Sequence, residues 1–356
     1  MILDFVKVFL PTALSFFSGI GLAILLNHYL YAYRMWKKTP GKKSMEGADT
    51  PIFNELHKTR EVGTPKMGGI LIWGSLLITT TLLWLIALLF PNETTEKLLF
   101  LSRDQTWIPM AALLFGGLIG LIDDYMEVEG SGDHVAGGLS LRKRLLIVSG
   151  ASVAIALWFF IKLGSHTIGI PFLGDFEIGW LIVPLFLIVA LGIYSGGVID
   201  GIDGLAGGVF AAIFAAYAGL AFYQQQINLA AFCATLVGAI LAFLWFNIPP
   251  ARFYMSETGS MALTLTLTVV AFLTNSVEGG RGVVALPIIA FPLVITTLSN
   301  IIQIVSKKFR KKKIFLVAPL HHHFEAIGWP AYKVTMRYWV IAVIFAIIGL
   351  IIGIIG

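Results

Sequence analysis

Two adjacent carboxylates, Asp123 and Asp124, stand at the end of an apolar run that begins at Gly116-Gly117. Adjacent carboxylates at a helix end repel each other and lose hydration, and a bound cation relieves both costs. Two carboxylates together with substrate phosphates form a typical Mg²⁺ arrangement. The pair therefore indicates either a metal site or a solvated loop start that carries two incidental acids.

A second acidic cluster, Asp200 and Asp203, lies among glycines between Gly196 and Gly208 in otherwise apolar sequence. The spacing of three places both carboxylates on one face if the segment is helical. Glycines let the backbone approach a ligand closely, and an acid near membrane depth indicates function by default. Helix packing through small residues would explain the glycines, but it does not explain the aspartates.

The segment Phe246–Ser260 joins two apolar runs and contributes an amide, Asn247, a carboxylate, Glu257, and several aromatic rings. Either Tyr254 or Phe253 could stack on a nucleotide base. An aromatic belt at the membrane interface is the alternative for both rings. The segment is therefore a candidate for nucleotide contact.

Three consecutive histidines, His321, His322 and His323, follow Pro319 and precede Glu325. Consecutive residues cannot all lie on one helical face, so we expect the run to form a loop. The spacing is not that of a zinc-binding helix, and no cysteines accompany it. Phosphate contact and acid–base chemistry both stay open for these imidazoles.

A basic stretch that includes Arg60 and Lys66 leads into Gly68-Gly69 at the start of an apolar run. This pattern suits phosphate binding at a helix N-terminus, and charge that only fixes membrane orientation is the alternative. Neither a Walker A motif nor a dinucleotide fingerprint is present. Together the five clusters fit a Mg²⁺-dependent reaction on a diphosphate, in which carboxylates hold the metal and cations offset developing charge.

The elements that must position these clusters are membrane helices. The 356 residues are 57% hydrophobic and 13% charged, with a mean hydropathy of +0.86, whereas a soluble domain has about a quarter charged residues. A bilayer core needs roughly 20 apolar residues per helix. We therefore predict an all-α membrane helical bundle of about ten transmembrane helices, forming a single domain over 1–356. The predicted spans are Val8–Tyr33, Met67–Phe90, Trp107–Ile122, Leu145–Ile161, Ile178–Ile199, Gly204–Tyr223, Ile227–Phe246, Thr258–Val277, Gly282–Ser306 and Tyr338–Gly356.

The charges predict the orientation of these spans. Five alternate loops contain 20 of the 25 Lys and Arg residues and 13 of the 20 acids. By the positive-inside rule these loops are cytoplasmic and both termini lie outside, so the polar clusters gather at the cytoplasmic face. The net charge of +5 then needs no nucleic acid as a partner, since the basic run Lys307–Lys313 suits anionic lipid. The five loops are 34–66, 123–144, 200–203, 247–257 and 307–337.

At these clusters the chain resembles the polyprenyl-phosphate N-acetylhexosamine-1-phosphate transferases. The match extends from about Gly63 through the last span, and PLHHHFE followed by GWP favours the phospho-N-acetylmuramoyl-pentapeptide branch. The motifs, in family order, are the GTPxMGG-like Gly63–Gly69, IDDY at Ile122–Tyr125, DGIDGLA at Asp200–Ala206, the segment Phe246–Ser260, PLHHHFE at Pro319–Glu325 and GWP at Gly328–Pro330.

The resemblance implies a multi-pass enzyme of the bacterial inner membrane whose active site faces the cytoplasm. In the implied reaction, the phosphate of undecaprenyl phosphate attacks the β-phosphate of UDP-N-acetylmuramoyl-pentapeptide. UMP leaves, and lipid I, a peptidoglycan precursor, stays in the membrane. Mg²⁺ is the implied cofactor, and a homodimer is common in the family.

The resemblance also implies roles for individual residues. The implied catalytic residues are Asp123, Asp124, Asp200, His321, His322 and His323. The residues assigned to substrate binding are Arg60, Lys66, Asp203, Asn247, Tyr254 and Arg142. The implied metal ligands are Asp123, Asp124, Asp200 and Glu257.

Several positions depart from the family pattern. Gly197 stands where an Asn is usual, Glu257 stands where the family has a metal-binding Asp, and Glu127 replaces a Lys. Mg²⁺ is strict about geometry, so these changes indicate either a retuned site or a homologue that binds its ligands without efficient turnover. A sibling enzyme for another UDP-N-acetylhexosamine is a further alternative. A transporter would instead need charged residues at mid-membrane and paired broken spans.

Overall fold

The computed structural model describes residues 2–38, 62–102, 105–130 and 138–355. Within these ranges nine helices are long and apolar enough to cross a membrane, and a bent helix pair raises the number to ten. The prediction of an all-α bundle with about ten spans is thus confirmed. The helices are α1 (Ile2–Ala32), α2 (Ile70–Leu89), α3 (Glu93–Leu98), α4 (Trp107–Glu129), α5 (Leu141–Lys162), α6 (Ile182–Gly196), α7 (Leu205–Tyr223), α8 (Ile227–Asn247), α9 (Ser256–Leu273), α10 (Gly282–Ile289), α11 (Phe291–Arg310), α12 (Leu320–Ala326) and α13 (Ala331–Ile355).

Helix α4 is longer than the sequence predicted. It continues for two turns beyond Ile122 and ends at Gly130, whose positive φ of 70° closes the helix. The prediction that a loop begins at Asp123 is therefore wrong, and both aspartates lie inside the helix. Both carboxylates are buried there. Protein groups from other parts of the chain bind them, so they do not need to be at a solvated helix end.

The predicted ninth span is not one straight helix. Helices α10 and α11 meet at Ala290 with a bend of 70°. Pro292 lies at the start of α11, where its missing N–H costs nothing. The structure also adds a short antiparallel hairpin between α5 and α6 that the sequence did not indicate. Its strands are β1 (Thr167–Ile170) and β2 (Gly174–Glu177).

Helices α4 and α9 pack closely because glycines face the neighbouring backbone. A Cβ on Gly120 would collide with the carbonyl oxygen of Glu257, and one on Gly116 would lie 2.6 Å from the carbonyl oxygen of Met261. Small residues of this kind let membrane helices approach each other. The contact brings Asp123 and Asp124 against the first turn of α9.

This packing predicts that Gly120→Ala destabilises the protein by about 1–3 kcal/mol, because the added methyl group must push two helices apart. Gly150→Ala is the matched control, since a Cβ on Gly150, also within a helix, has no neighbour within 4 Å. Thermal unfolding of the detergent-solubilised protein measures both. Equal unfolding temperatures for the two variants would contradict the close packing.

Candidate active site

The first turn of α9 binds aspartates from two different parts of the chain. The backbone N–H of Ser256 donates to Oδ2 of Asp200 at 2.8 Å, and the N–H of Thr258 donates to Oδ2 of Asp124 at 2.9 Å. The first N–H groups of a helix have no partner within it and favour negative charge. Helix α9 therefore holds the two acidic clusters beside each other.

The two carboxylate oxygens of Asp124 differ in their hydrogen bonds. Its Oδ2 also accepts a hydrogen bond from Thr258 Oγ1 at 2.6 Å. Its Oδ1 is buried, accepts no hydrogen bond from the described residues, and lies 3.7 Å from Nζ of Lys66. A buried carboxylate oxygen in this state is suited to a cation.

Asp123 and Glu257 are joined by Arg144. Nη2 of Arg144 lies 3.0 Å from Oδ2 of Asp123, and Nη1 lies 2.6 Å from Oε1 of Glu257. The other carboxylate oxygens are also bound: Asp123 Oδ1 accepts the N–H of Leu139, and Glu257 Oε2 accepts the hydroxyl of Ser260. The guanidinium therefore lies between two predicted metal ligands.

Lys66 and Glu127 form the second ion pair of the site, with Nζ 2.5 Å from Oε2. Burial lowers the pKa of Lys66, but the charges of Glu127 and Asp124 outweigh it, so the pKa is raised above its usual range. Lys66 therefore carries its charge throughout the neutral pH range. The acid at position 127, unusual for the family, has its own cationic partner here.

The aspartates of the second cluster sit in a turn and not on a helix. Asp200 follows a short 3-10 segment, and Gly204 adopts a positive φ of 77° before α7 begins. The segment between Asp200 and Asp203 is not helical, so the condition for one shared helical face is not met. Oδ2 of Asp203 accepts the N–H of Ala251 at 3.1 Å, so both acids are bound to the segment 247–257.

Asn247 holds this turn in place. Its Oδ1 accepts the N–H of Gly204 at 2.9 Å, and its Nδ2 donates to the carbonyl of Phe253 at 2.9 Å. The ring of Phe253 is fully buried against Phe243 and Phe246, so stacking of that ring on a base is excluded in this structure.

Tyr254 connects the glycine-rich segment to the site. Its N–H donates to the carbonyl of Pro65, and its carbonyl accepts the N–H of Gly68, both at 2.8 Å. Its side chain is only partly buried. The backbone pairing places Lys66 beside the acids, so the first and third clusters meet.

The histidines lie in helix α12, so the predicted loop is wrong. His321 and His322 are buried, and their rings lie against Gly201, where a Cβ would be 2.6 Å and 2.7 Å from their Nε2 atoms. The glycine thus lets the turn contact the imidazoles. Nδ1 of His322 is 2.7 Å from Oε2 of Glu325.

His323 is placed differently from its two neighbours. It is partly buried, and its Nδ1 accepts the N–H of Leu316 at 3.3 Å. The three histidines of the motif therefore have unequal surroundings, and only the first two face the aspartate turn.

Of the three predicted cations, Lys66 lies in the site. Arg142 is exposed at the start of α5, and Arg60 lies outside the described residues. Arg144, which the sequence analysis did not select, contacts two acids. Arg142 and Arg144 are half a helical turn apart and therefore lie on opposite sides of α5. Arg144 is on the side that faces the protein, and the sequence alone does not show which side that is.

The donor atoms fit Mg²⁺ in chemistry, since carboxylate oxygens are its preferred protein ligands and Asp124 Oδ1 is buried without a hydrogen bond. Among the described residues, however, no three His, Cys, Asp or Glu side chains are grouped as metal ligands. Arg144 lies between Asp123 and Glu257, and Lys66 lies beside Asp124 and Glu127.

Asn247 generates a prediction that separates structure from substrate contact. Asn247→Ala leaves two buried backbone groups without partners and lowers stability by about 2–4 kcal/mol. The control is Asn228→Ala at the opposite end of α8, whose Oδ1 accepts no hydrogen bond from the described residues. Thermal unfolding without substrate measures the difference. Unchanged stability of Asn247→Ala, together with weaker nucleotide binding, would assign the amide to substrate instead.

Comparison with known proteins shows which family the chain resembles. Residues 106–275 match a family model described as Glycosyl transferase family 4. The chain is similar to a Phospho-N-acetylmuramoyl-pentapeptide-transferase of Geobacillus sp. (strain WCH70), with 35% identity over 82% of this chain and 84% of the relative. It is also similar to the Phospho-N-acetylmuramoyl-pentapeptide-transferase of Bacillus mycoides (strain KBAB4), with 36% identity over 83% of this chain and 85% of the relative.

Proposed function

Because this chain belongs to the phospho-N-acetylmuramoyl-pentapeptide transferases, we propose that it transfers phospho-N-acetylmuramoyl-pentapeptide from its UDP derivative to undecaprenyl phosphate. The products are lipid I and UMP. The chain is a multi-pass membrane phosphoglycosyl transferase with bacterial relatives. The proposal further places it in the inner membrane with the site facing the cytoplasm, and allows a homodimer.

One observation carries this proposal. Helix α9 draws the Asp123–Asp124 pair and the Asp200–Asp203 turn together, and Lys66 and Arg144 lie among the acids. A site with clustered carboxylates and two cations at one end of a membrane bundle suits phosphoryl transfer between a lipid and a nucleotide sugar.

The proposed reaction forms one bond and breaks one. An oxygen of the lipid phosphate bonds to the β-phosphorus of the nucleotide sugar, and the bond from that phosphorus to the bridging oxygen of UMP breaks. The lipid phosphate is mostly ionised near neutral pH, so it needs little help from a general base. Orientation and charge stabilisation are therefore the main tasks of the protein.

Asp123, Asp124, Asp200 and Glu257 would hold Mg²⁺, which would neutralise charge on the phosphate oxygens when bound. Lys66, which keeps its proton at neutral pH, can bind a phosphate oxygen from beside Asp124. The His322–Glu325 pair fixes the imidazole next to Gly201, where it can donate to a phosphate or sugar oxygen.

The departures from the family pattern support a retuned site. The longer Glu257 is bound at both oxygens, to Arg144 and to Ser260. A Cβ on Gly197 would lie 3.5 Å from the Cβ of Ser260, so the missing side chain leaves space next to that serine.

The proposal predicts metal-dependent UMP release from UDP-N-acetylmuramoyl-pentapeptide and undecaprenyl phosphate, abolished by EDTA. Asp124→Asn lowers the rate by about 100-fold or more, the scale for loss of a charge-stabilising group. Glu129→Gln, an exposed acid at the end of the same helix, is the control and leaves the rate near wild type. If UMP is released faster from another UDP-N-acetylhexosamine, the protein has the sibling activity. If the protein binds the nucleotide sugar but releases no UMP, the proposed catalytic activity is wrong.

Retuning makes a separate prediction about length at position 257. Glu257→Asp retracts the carboxylate by one methylene from Ser260 and from the metal that it would hold, and it lowers UMP release by about tenfold, because small displacements in such sites are costly. Initial rates over a range of Mg²⁺ concentrations measure this. A faster Glu257→Asp variant would show that the glutamate weakens the site.

A further inference from the structure

Arg144 is held in the site by more contacts than any other cation described. Besides contacting Asp123 and Glu257, Arg144 donates from Nε to the carbonyl of Leu139 at 3.0 Å. Its side chain is 16% exposed. The planar fork of a guanidinium is well suited to bridge two carboxylates.

The two acids that Arg144 bridges are ones that the family resemblance implies as metal ligands. A divalent cation placed at Asp123 Oδ2 or Glu257 Oε1 would stand beside the positive guanidinium, and like charges repel. Among the described residues, no three His, Cys, Asp or Glu side chains are grouped as metal ligands. Arg144 and a metal therefore compete electrostatically for the two acids.

We propose that Arg144 is an internal counter-cation that holds Asp123 and Glu257 in the metal-free protein and releases them when Mg²⁺ binds. The inference rests on the proposed function for the identity of the ion. Exchange keeps the acids neutralised at each stage, so neither state buries them unpaired. Once released, the guanidinium stays beside the site through its hydrogen bond to Leu139, where a substrate phosphate offers it a new partner.

Helix α5 gives this exchange a physical basis. Arg144 is in the first turn of α5, and Ser140 caps that turn by accepting the N–H of Lys143. The arginine can therefore swing on a fixed backbone, since only side-chain torsions must change. Lys66 has a different position, because its closest contact is Glu127, which the sequence does not assign to the metal.

The first test measures Mn²⁺ binding to the full-length protein in detergent by the loss of the free-ion electron paramagnetic resonance signal. Arg144→Met, which keeps length and removes charge, binds Mn²⁺ about tenfold more tightly than wild type, since one competing charge contact is removed. Lys143→Met, an exposed neighbour, controls for the loss of a nearby positive charge. Arg144→Lys, which can bridge only one acid, gives an intermediate affinity.

The second test needs no variant and so does not depend on folding. Phenylglyoxal labelling mapped by mass spectrometry measures how accessible each arginine is, and labelling of Arg144 rises when Mg²⁺ is added. The exposed Arg142 is the internal reference and labels equally in both conditions.

Unchanged Arg144 labelling, or an Arg144→Met variant that binds Mn²⁺ no better than Lys143→Met, would overturn the exchange. Neither readout uses turnover. If the wild-type protein releases UMP but neither test gives the expected result, the transferase activity is supported and the exchange is wrong. If both tests give the expected result but no UMP is released, the exchange is supported and the transferase activity is wrong.

Discussion

The structure of the site depends on the hydrogen bonds made by the backbone N–H groups at the buried start of helix α9. The first N–H groups of α9 have no partners within their helix, and a membrane bundle offers little water to replace them. Carboxylates of Asp200 and Asp124 accept hydrogen bonds from Ser256 and Thr258. Because one acid comes from α4 and the other from the aspartate turn, this one requirement fixes α4, α9 and the turn relative to each other.

The charge balance follows from this arrangement. Asp123, Asp124, Glu127 and Glu257 form ion pairs with Lys66 and Arg144. Buried acids are tolerated only when they are paired, so the site is suited to a divalent cation and to substrates that bring one.

Much of this architecture could be predicted from the sequence. Hydropathy identified the spans, since each needs a long apolar run, and residue type identified the acidic, histidine and glycine-rich clusters. Local pattern failed where tertiary partners decide the structure. Asp123 and Asp124 continue their helix because Leu139, Arg144 and Thr258 bind them, and no local pattern shows those partners.

Arg144 was missed for a related reason. In sequence it is one of three neighbouring cations that also fit the positive-inside rule, and only burial distinguishes it from Arg142. The histidine helix and the bend before α11 were missed because short helices and broken spans depend on packing more than on periodicity. Tyr254 and Asn247 were predicted to contact substrate, and in the structure their hydrogen bonds hold neighbouring segments of the site together.

The central claim is that the start of α9 gathers both acidic clusters into one metal-binding site. The most direct measurement is the anomalous scattering of Mn²⁺ in crystals of the protein with UDP bound. The account predicts a single peak at Oδ1 of Asp124, within coordination distance of a second carboxylate, with the Thr258–Asp124 hydrogen bond intact. A peak remote from Asp124, or a metal bound only after α9 has separated from the aspartates, would contradict it.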